Sequence, residues 1–224
     1  MWRPVSQRTV GLVMGFGGGV LISGVAFELV GPAITEAESG GHWKVALGLG
    51  AGALTFYFGD GIIDRMGGDN RKSSKGGDGS ALPLTLGIVL DGIPESVALG
   101  VTLLGGEGVS VAFLAAVFLS NLPESIGATS GFQKSGRSNR WVICLWLAII
   151  LVSGLAALAG YGLLENASGT AVAVVDAFAA GAILTMLADT MMPEAFEYGG
   201  PQVGLLTTLG FALAVGIAVW EHVG

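Results

Sequence analysis

The sequence predicts an all-α integral membrane protein: seven transmembrane helices in one domain, 1–224, with inverted-repeat character. Three observations carry that expectation. The 224 residues are 52% hydrophobic and only 12% charged, with a mean hydropathy of +0.72, a composition typical of membrane proteins. Apolar runs of roughly 20 residues, the length needed to cross the hydrocarbon core, recur along the whole chain. The charges that do occur are segregated by loop rather than mixed.

The seven runs are a (9–34), b (43–63), c (82–104), d (109–132), e (141–164), f (170–194) and g (202–221). If the N-terminus is cytoplasmic, the inner loops hold Arg3, Arg8, Arg65, Arg71, Lys72, Lys75, Lys134, Arg137 and Arg140, and the outer loops hold only Lys44. This bias predicts an odd number of spans, an inner N-terminus and an outer C-terminus, with the cell membrane as the location. Net charge is −7, yet nothing resembles a nucleic-acid surface, so the bilayer is the expected partner.

Run a follows Arg3 and Arg8, but it is long for a signal-peptide core and has an internal counterpart, so it reads as a span. Its Phe16-Gly17-Gly18-Gly19-Val20-Leu21-Ile22-Ser23 matches Phe178-Ala179-Ala180-Gly181-Ala182-Ile183-Leu184-Thr185 of run f, which crosses in the opposite direction. Run b ends on Asp60 and Asp64, read as a solvated helix end. The connection 65–80 is rich in Gly, Ser, Lys and Asp and reads as a flexible cytoplasmic loop. Run e contains the single cysteine, Cys144, read as a small buried hydrophobe. Asp176 lies near the outer end of f, and His42 and His222 lie in outer loops or ends with no His-rich tract beside them. The 39 glycines suit close helix packing in lipid.

Runs c and d carry the chemistry. Asp91-Gly92-Ile93-Pro94-Glu95-Ser96 and Ser120-Asn121-Leu122-Pro123-Glu124-Ser125 align at a constant offset, in spans of opposite direction. An ionised carboxylate at the bilayer centre costs ~3 kcal/mol even on a lenient insertion scale, so matched glutamates require compensation, and a cation supplies it. Asp91 and Glu95 are four residues apart and share a helix face, as do Ser120 and Glu124, with Asn121 three from Glu124. Pro94 and Pro123 lack the N–H that would bond the Leu90 and Leu119 carbonyls, so both are expected to kink or unwind their helices beside a cation site. Inverted repeats with broken helices at the midplane are the trace of a transporter.

These segments resemble the paired helices of the ZIP (Zrt-, Irt-like) metal transporters, whose fourth span usually reads His-Asn-x-Pro-Glu-Gly and whose fifth carries a similar His-x-x-Pro-Glu. Ala188-Asp189-Thr190-Met191-Met192-Pro193-Glu194 is similar to the family's seventh span, and Phe27-Glu28-Leu29 to its second. The resemblance implies a divalent cation, of the zinc, iron or manganese class, as substrate and no prosthetic group. It implies metal ligands at Asp91, Glu95, Ser120, Asn121 and Glu124, with Glu28, Asp189 and Glu194 along the pathway, and a homodimer. The family usually has eight spans, and this chain starts at what resembles the second. Asp91 and Ser120 stand where histidines are usual and Gly92 where an asparagine is usual, which predicts a single-ion, all-oxygen site suited to harder cations. With three carboxylates in a small site, one is expected to hold a proton until metal displaces it. The expected mechanism is alternating access, with a and f rocking against the rest. Two other readings stay open: a ZIP-like sensor or scaffold that does not transport, and an intramembrane aspartyl protease using Asp60 and a second aspartate.

Overall fold

The computed structural model describes residues 6–37, 41–66, 81–105 and 108–223, and these are helical with no strand among them. Seven helical stretches are long and apolar enough to cross a membrane: Gln7–Glu36, His42–Arg65, Ala81–Thr102, Val111–Lys134, Asn139–Leu164, Gly169–Gly199 and Gln202–Trp220. They correspond one for one to runs a to g. Most of the predicted loop 65–80, together with Arg3, lies outside the described residues.

Nine α-helices make up these spans. Span a is α1 (Gln7–Gly24), a π-helical turn (Val25–Val30) and α2 (Gly31–Glu36); span b is α3 (His42–Arg65). Spans c, d and e are α4 (Ala81–Thr102), α5 (Val111–Lys134) and α6 (Asn139–Leu164). Span f is α7 (Gly169–Met186), a second π turn (Leu187–Met191) and α8 (Met192–Gly199), and span g is α9 (Gln202–Val223). Serines start four of them: the side chains of Ser6, Ser110, Ser138 and Ser168 accept from the backbone N–H of Thr9, Phe113, Trp141 and Ala171. Each satisfies one of the first-turn donors that have no partner inside the helix. Arg8 donates to Gln202 at 2.9 Å, so α1 and α9 begin at the same end of the bundle.

The outward faces are apolar. Trp43, Leu47 and Phe58 on α3, Ile150 and Leu158 on α6, and Leu205 and Trp220 on α9 are all more than half exposed, and few residues of α6 are fully buried. Patches of this extent suit lipid rather than water. Cys144 is exposed on α6, not buried as expected. A thiol with nothing polar to bind is accommodated as well by a lipid-facing surface as by a core.

Glycines fix the pairings in the interior. A Cβ at Gly19 would collide with the Thr207 carbonyl oxygen and one at Gly210 with that of Phe16, which locks α1 to α9. The same reciprocal arrangement holds α3 to α7 through Gly52 against Phe178 and Gly181 against Leu49. It holds α4 to α6 through Gly100 against Ala157 and Gly160 against Val97. Lipid gives helices no hydrophobic drive to associate, so backbone approach of this kind supplies the van der Waals contact instead. Helix α5 docks on α1, where a Cβ at Gly17 would stand 2.8 Å from the Leu119 carbonyl oxygen.

Pro94 and Pro123 do not unwind their helices. α4 and α5 stay α-helical through both. The irregular turns lie instead in spans a and f, each just ahead of a proline: Pro32 and Pro193 sit in the first turns of α2 and α8. A proline cannot bond the carbonyl four residues back, which here belongs to Glu28 and Asp189, and a π turn relieves the clash by inserting a residue. The two spans match in architecture as well as sequence: α1 and α7 begin at 7 and 169, and their π turns at 25 and 187, a shift of 162 in both cases.

Candidate functional site

Glu95 is 2% exposed, well inside α4. Its carboxylate is held from α5: the Asn121 amide Nδ2 donates to Oε2 and the Ser120 hydroxyl lies 3.4 Å from Oε1. The second Nδ2 hydrogen of Asn121 bonds the Val117 carbonyl at 2.8 Å, and the Ser120 hydroxyl lies 2.9 Å from the same oxygen. The spacing of the two residues on α5 sets this up, since 120 and 121 lie three and four positions after 117 and both reach back over one turn. Asn121 thereby spends both amide hydrogens and keeps its Oδ1 as an acceptor.

Asp91 is also buried, 5% exposed, one turn before Glu95 on the same face of α4. Glu124 is half-buried and one turn beyond Ser120. It lines a cleft of about 150 Å³ with Ile88, Phe118, Asn121, Leu122, Ser125 and Trp146, whose indole N–H donates to Thr129 across α5 and α6 at 2.9 Å. Asn121 is common to the cleft and to the Glu95 contact, so the two matched segments do meet. Asp91, Glu95 and Ser120 form the buried part, and half-buried Asn121 and Glu124 face the cleft beside them. Among the described residues no three acids, histidines or cysteines are close enough together to hold an ion by themselves. Glu95 is instead bound by an amide and a hydroxyl.

The three pathway candidates lie on other elements, in spans a and f. Glu28 is half-buried in the first π turn, Asp189 is exposed in the second, and Glu194 is half-buried in the first turn of α8. The first π turn packs against α7 and the second against α1. Sequence reasoning did not find these turns, although an acid four residues before a proline, at Glu28 and Pro32 and at Asp189 and Pro193, was there to be read.

Two further acids are buried. Asp60 is 6% exposed, not a solvated helix end, because α3 continues to Arg65 and Gly59 lies against the Leu90 side chain of α4. Asp176, near the outer end of run f, is 4% exposed, two turns into α7. His42 is exposed at the start of α3, and the side chain of His222 lies outside the described residues.

The bond between Asn121 and Glu95 gives a first test. Asn121→Ala leaves Glu95 Oε2 buried without its amide donor, and losing a hydrogen bond to a buried charged group costs about 1–3 kcal/mol. Thermal unfolding in detergent is expected to show a lowered midpoint, and an unchanged midpoint would mean that the bond contributes nothing.

Comparison with known proteins bears on this arrangement as a whole. No family model matches the chain. Over 212 residues it is 27% identical to an Arabidopsis thaliana protein named "Putative zinc transporter At3g08650". The alignment takes in 93% of this chain but 33% of the plant protein, so the chain spans about a third of the length of the relative it matches, and the similarity runs through all seven spans.

Proposed function

We propose that the chain carries a divalent metal cation across the membrane by alternating access, with Glu95 at the centre of the ion's path. The observation that carries this reading is a carboxylate buried in the middle of one span and held by a hydroxyl and an amide from the next. In lipid such a group marks an ion or proton route far more often than a structural contact. Similarity to a protein named as a zinc transporter supports the same reading.

In this mechanism Asn121 and Ser120 occupy Glu95 until metal arrives. A cation entering between α4 and α5 takes the Glu95 oxygens, Asn121 turns its Oδ1 inward, and Ser120 offers its oxygen lone pairs. Glu124 reaches the ion from the cleft, and Asp91 adds charge from one turn away. Every ligand is oxygen, which favours manganese, magnesium or calcium and admits zinc and iron with less discrimination.

The glycine contacts bear on how the halves move. Spans a and f pack on each other, with Gly11 of α1 and Gly199 of α8 in reciprocal backbone contact, and each is also locked to a further neighbour, α1 to α9 and α7 to α3. Glu95 and Asp91 travel with α4 and α6, whereas Ser120, Asn121 and Glu124 travel with α5, α1 and α9. Opening the α4–α5 interface therefore takes the ligand set apart, which couples release of the ion to the motion. The charge bias of the loops supports a cytoplasmic N-terminus and an outer C-terminus in the cell membrane. The homodimer rests on the family resemblance alone.

A non-transporting sensor would bind metal and pass none. A protease would need Asp60 and a second aspartate on one water. Purified protein in vesicles, offered a panel of manganese, zinc, iron, magnesium and calcium, is expected to take up at least one of them and to be thermally stabilised by the same ion. Stabilisation without uptake would select the sensor, and neither response would overturn the metal reading.

A further inference from the structure

We propose that the corner between α5 and α6 binds the phosphate headgroup of an anionic membrane lipid. Lys134 closes α5, Arg137 lies in the connection and Arg140 stands in the first turn of α6. All three are exposed. Between Glu124 and Glu165 the sequence holds these three cations and no acid. Helix α4, which is locked to α6, brings none to this end either, since its acids Asp91 and Glu95 are buried and its first ten residues contain no carboxylate. The corner therefore carries positive charge that the neighbouring helices do not neutralise.

The corner is also braced. Gly136, with a φ of 81°, takes the left-handed conformation that ends α5, and the N–H groups of Gly136 and Arg137 bond the Gln133 and Phe132 carbonyls at 3.1 and 3.0 Å. The Gln133 amide donates to the Asn139 Oδ1 at 3.3 Å across the turn. The Phe132 and Trp141 rings meet edge to face with centroids 5.3 Å apart, and the Arg137 guanidinium lies 4.9 Å from the centre of the Trp141 ring. A guanidinium held over a ring engages it through its face and leaves N–H groups for an anion. Cations on a braced turn lose less freedom when an anion binds than cations on a loose loop.

The surface next to the corner identifies the occupant as a lipid. Ile143, Leu147, Ile150 and Leu151 continue along α6 from Arg140, each more than half exposed. A soluble anion would use the cations alone, whereas a phospholipid covers the cations with its headgroup and the apolar face with its acyl chains. Trp141, between the two, is the residue type that favours that depth. Because α5 is seated on α1 and α6 on α4, a headgroup held from both sides of the corner ties together the two packing units that meet at Glu95. That consequence rests on the transport reading, but the binding itself does not.

The test is titration of the purified full chain in detergent with phosphatidylglycerol, phosphatidylcholine or inorganic phosphate, reading bound lipid by native mass spectrometry and the thermal midpoint alongside. The wild type is expected to retain phosphatidylglycerol at least about tenfold more strongly than phosphatidylcholine, since each cation beside anionic lipid contributes roughly a fivefold gain. Lys134→Gln, Arg137→Gln and Arg140→Gln together are expected to abolish that preference. Arg8→Gln with Arg65→Gln, which removes two cations elsewhere at the same end of the bundle, is expected to keep it. Arg140→Gln alone is expected to weaken retention about fivefold, and it keeps the test decisive if the triple variant fails to fold. Equal retention of the two lipids by the wild type, or a preference that survives the triple variant, overturns the proposal. So does an equal loss in Arg8→Gln with Arg65→Gln, which would mean a diffuse field, and so does equal stabilisation by inorganic phosphate, which would mean a soluble anion. Failure of the transport reading is seen separately, as uptake that Glu95→Gln leaves intact.

Discussion

Replacing Glu95 with alanine is expected to abolish metal uptake by reconstituted vesicles, while the protein remains folded in detergent. Glu95 is the buried carboxylate on which Ser120 and Asn121 converge, and without it those two side chains lose the charge they share across the α4–α5 interface. The ion would then exchange its water for a hydroxyl, an amide and the outlying carboxylates of Asp91 and Glu124, a set without its central charge, which repays too little of the dehydration of a divalent cation in a low-dielectric interior. Rates should fall by at least about a hundredfold, equivalent to roughly 2.7 kcal/mol. Glu124→Ala is expected to reduce uptake as well, by less, because Glu124 faces the cleft and has water as a substitute. Asn121→Ala is expected to act mainly on stability, for the reason given above. Wild-type rates in Glu95→Ala would remove Glu95 from the path and, with it, the proposed centre of the mechanism.

Gly52→Val is expected to destroy the fold. Its Cβ would occupy the position of the Phe178 carbonyl oxygen, and the contact cannot relax by sliding the helices, since Gly181 is pressed against the Leu49 carbonyl from the other side. Overpacking of flexible core side chains costs about 1–3 kcal/mol. Here backbone meets backbone, so the cost reaches the top of that range or beyond, enough to unfold a marginally stable domain. The same helix contains its own control: Cβ atoms at Gly50 and Gly61 would meet nothing within 4 Å. Gly50→Ala is expected to be neutral or to stabilise by up to about 1 kcal/mol through helix propensity. Size-exclusion profiles and thermal midpoints of the two variants check this directly. A well-folded Gly52→Val protein would show that α3 and α7 do not depend on their close approach.

The same glycines explain why the site is where it is. Gly17 seats α5 on α1 at Leu119, the residue before Ser120, and the reciprocal contacts of Gly100 and Gly160 seat α4 on α6 at the turn after Glu95. The site helices are each anchored to a different neighbour and meet one another at Glu95 and in a small apolar cluster of Ala81 and Ile88 with Ala128 and Phe132. An interface of that kind is a natural place for a change in access, because few contacts must break for it to open.

What the sequence determined by itself was the fold class, the seven spans and the pairing of the two Pro-Glu-Ser segments. Twenty-residue apolar runs have one physical solution in a bilayer, and a four-residue spacing puts side chains on one helix face whatever surrounds the helix. The burial of Asp60 and Asp176, the exposure of Cys144 and the donor role of Asn121 were beyond its reach. Each depends on which neighbour covers a given face, and in lipid an apolar pattern does not distinguish an inward face from an outward one. The expectation that Pro94 and Pro123 would unwind α4 and α5 failed for a related reason, since packing on α6 and α1 holds those helices regular. The tertiary structure alone decided where the backbone departs from the α-helix: ahead of Pro32 and Pro193, in the two spans where an extra residue can be accommodated between packed neighbours.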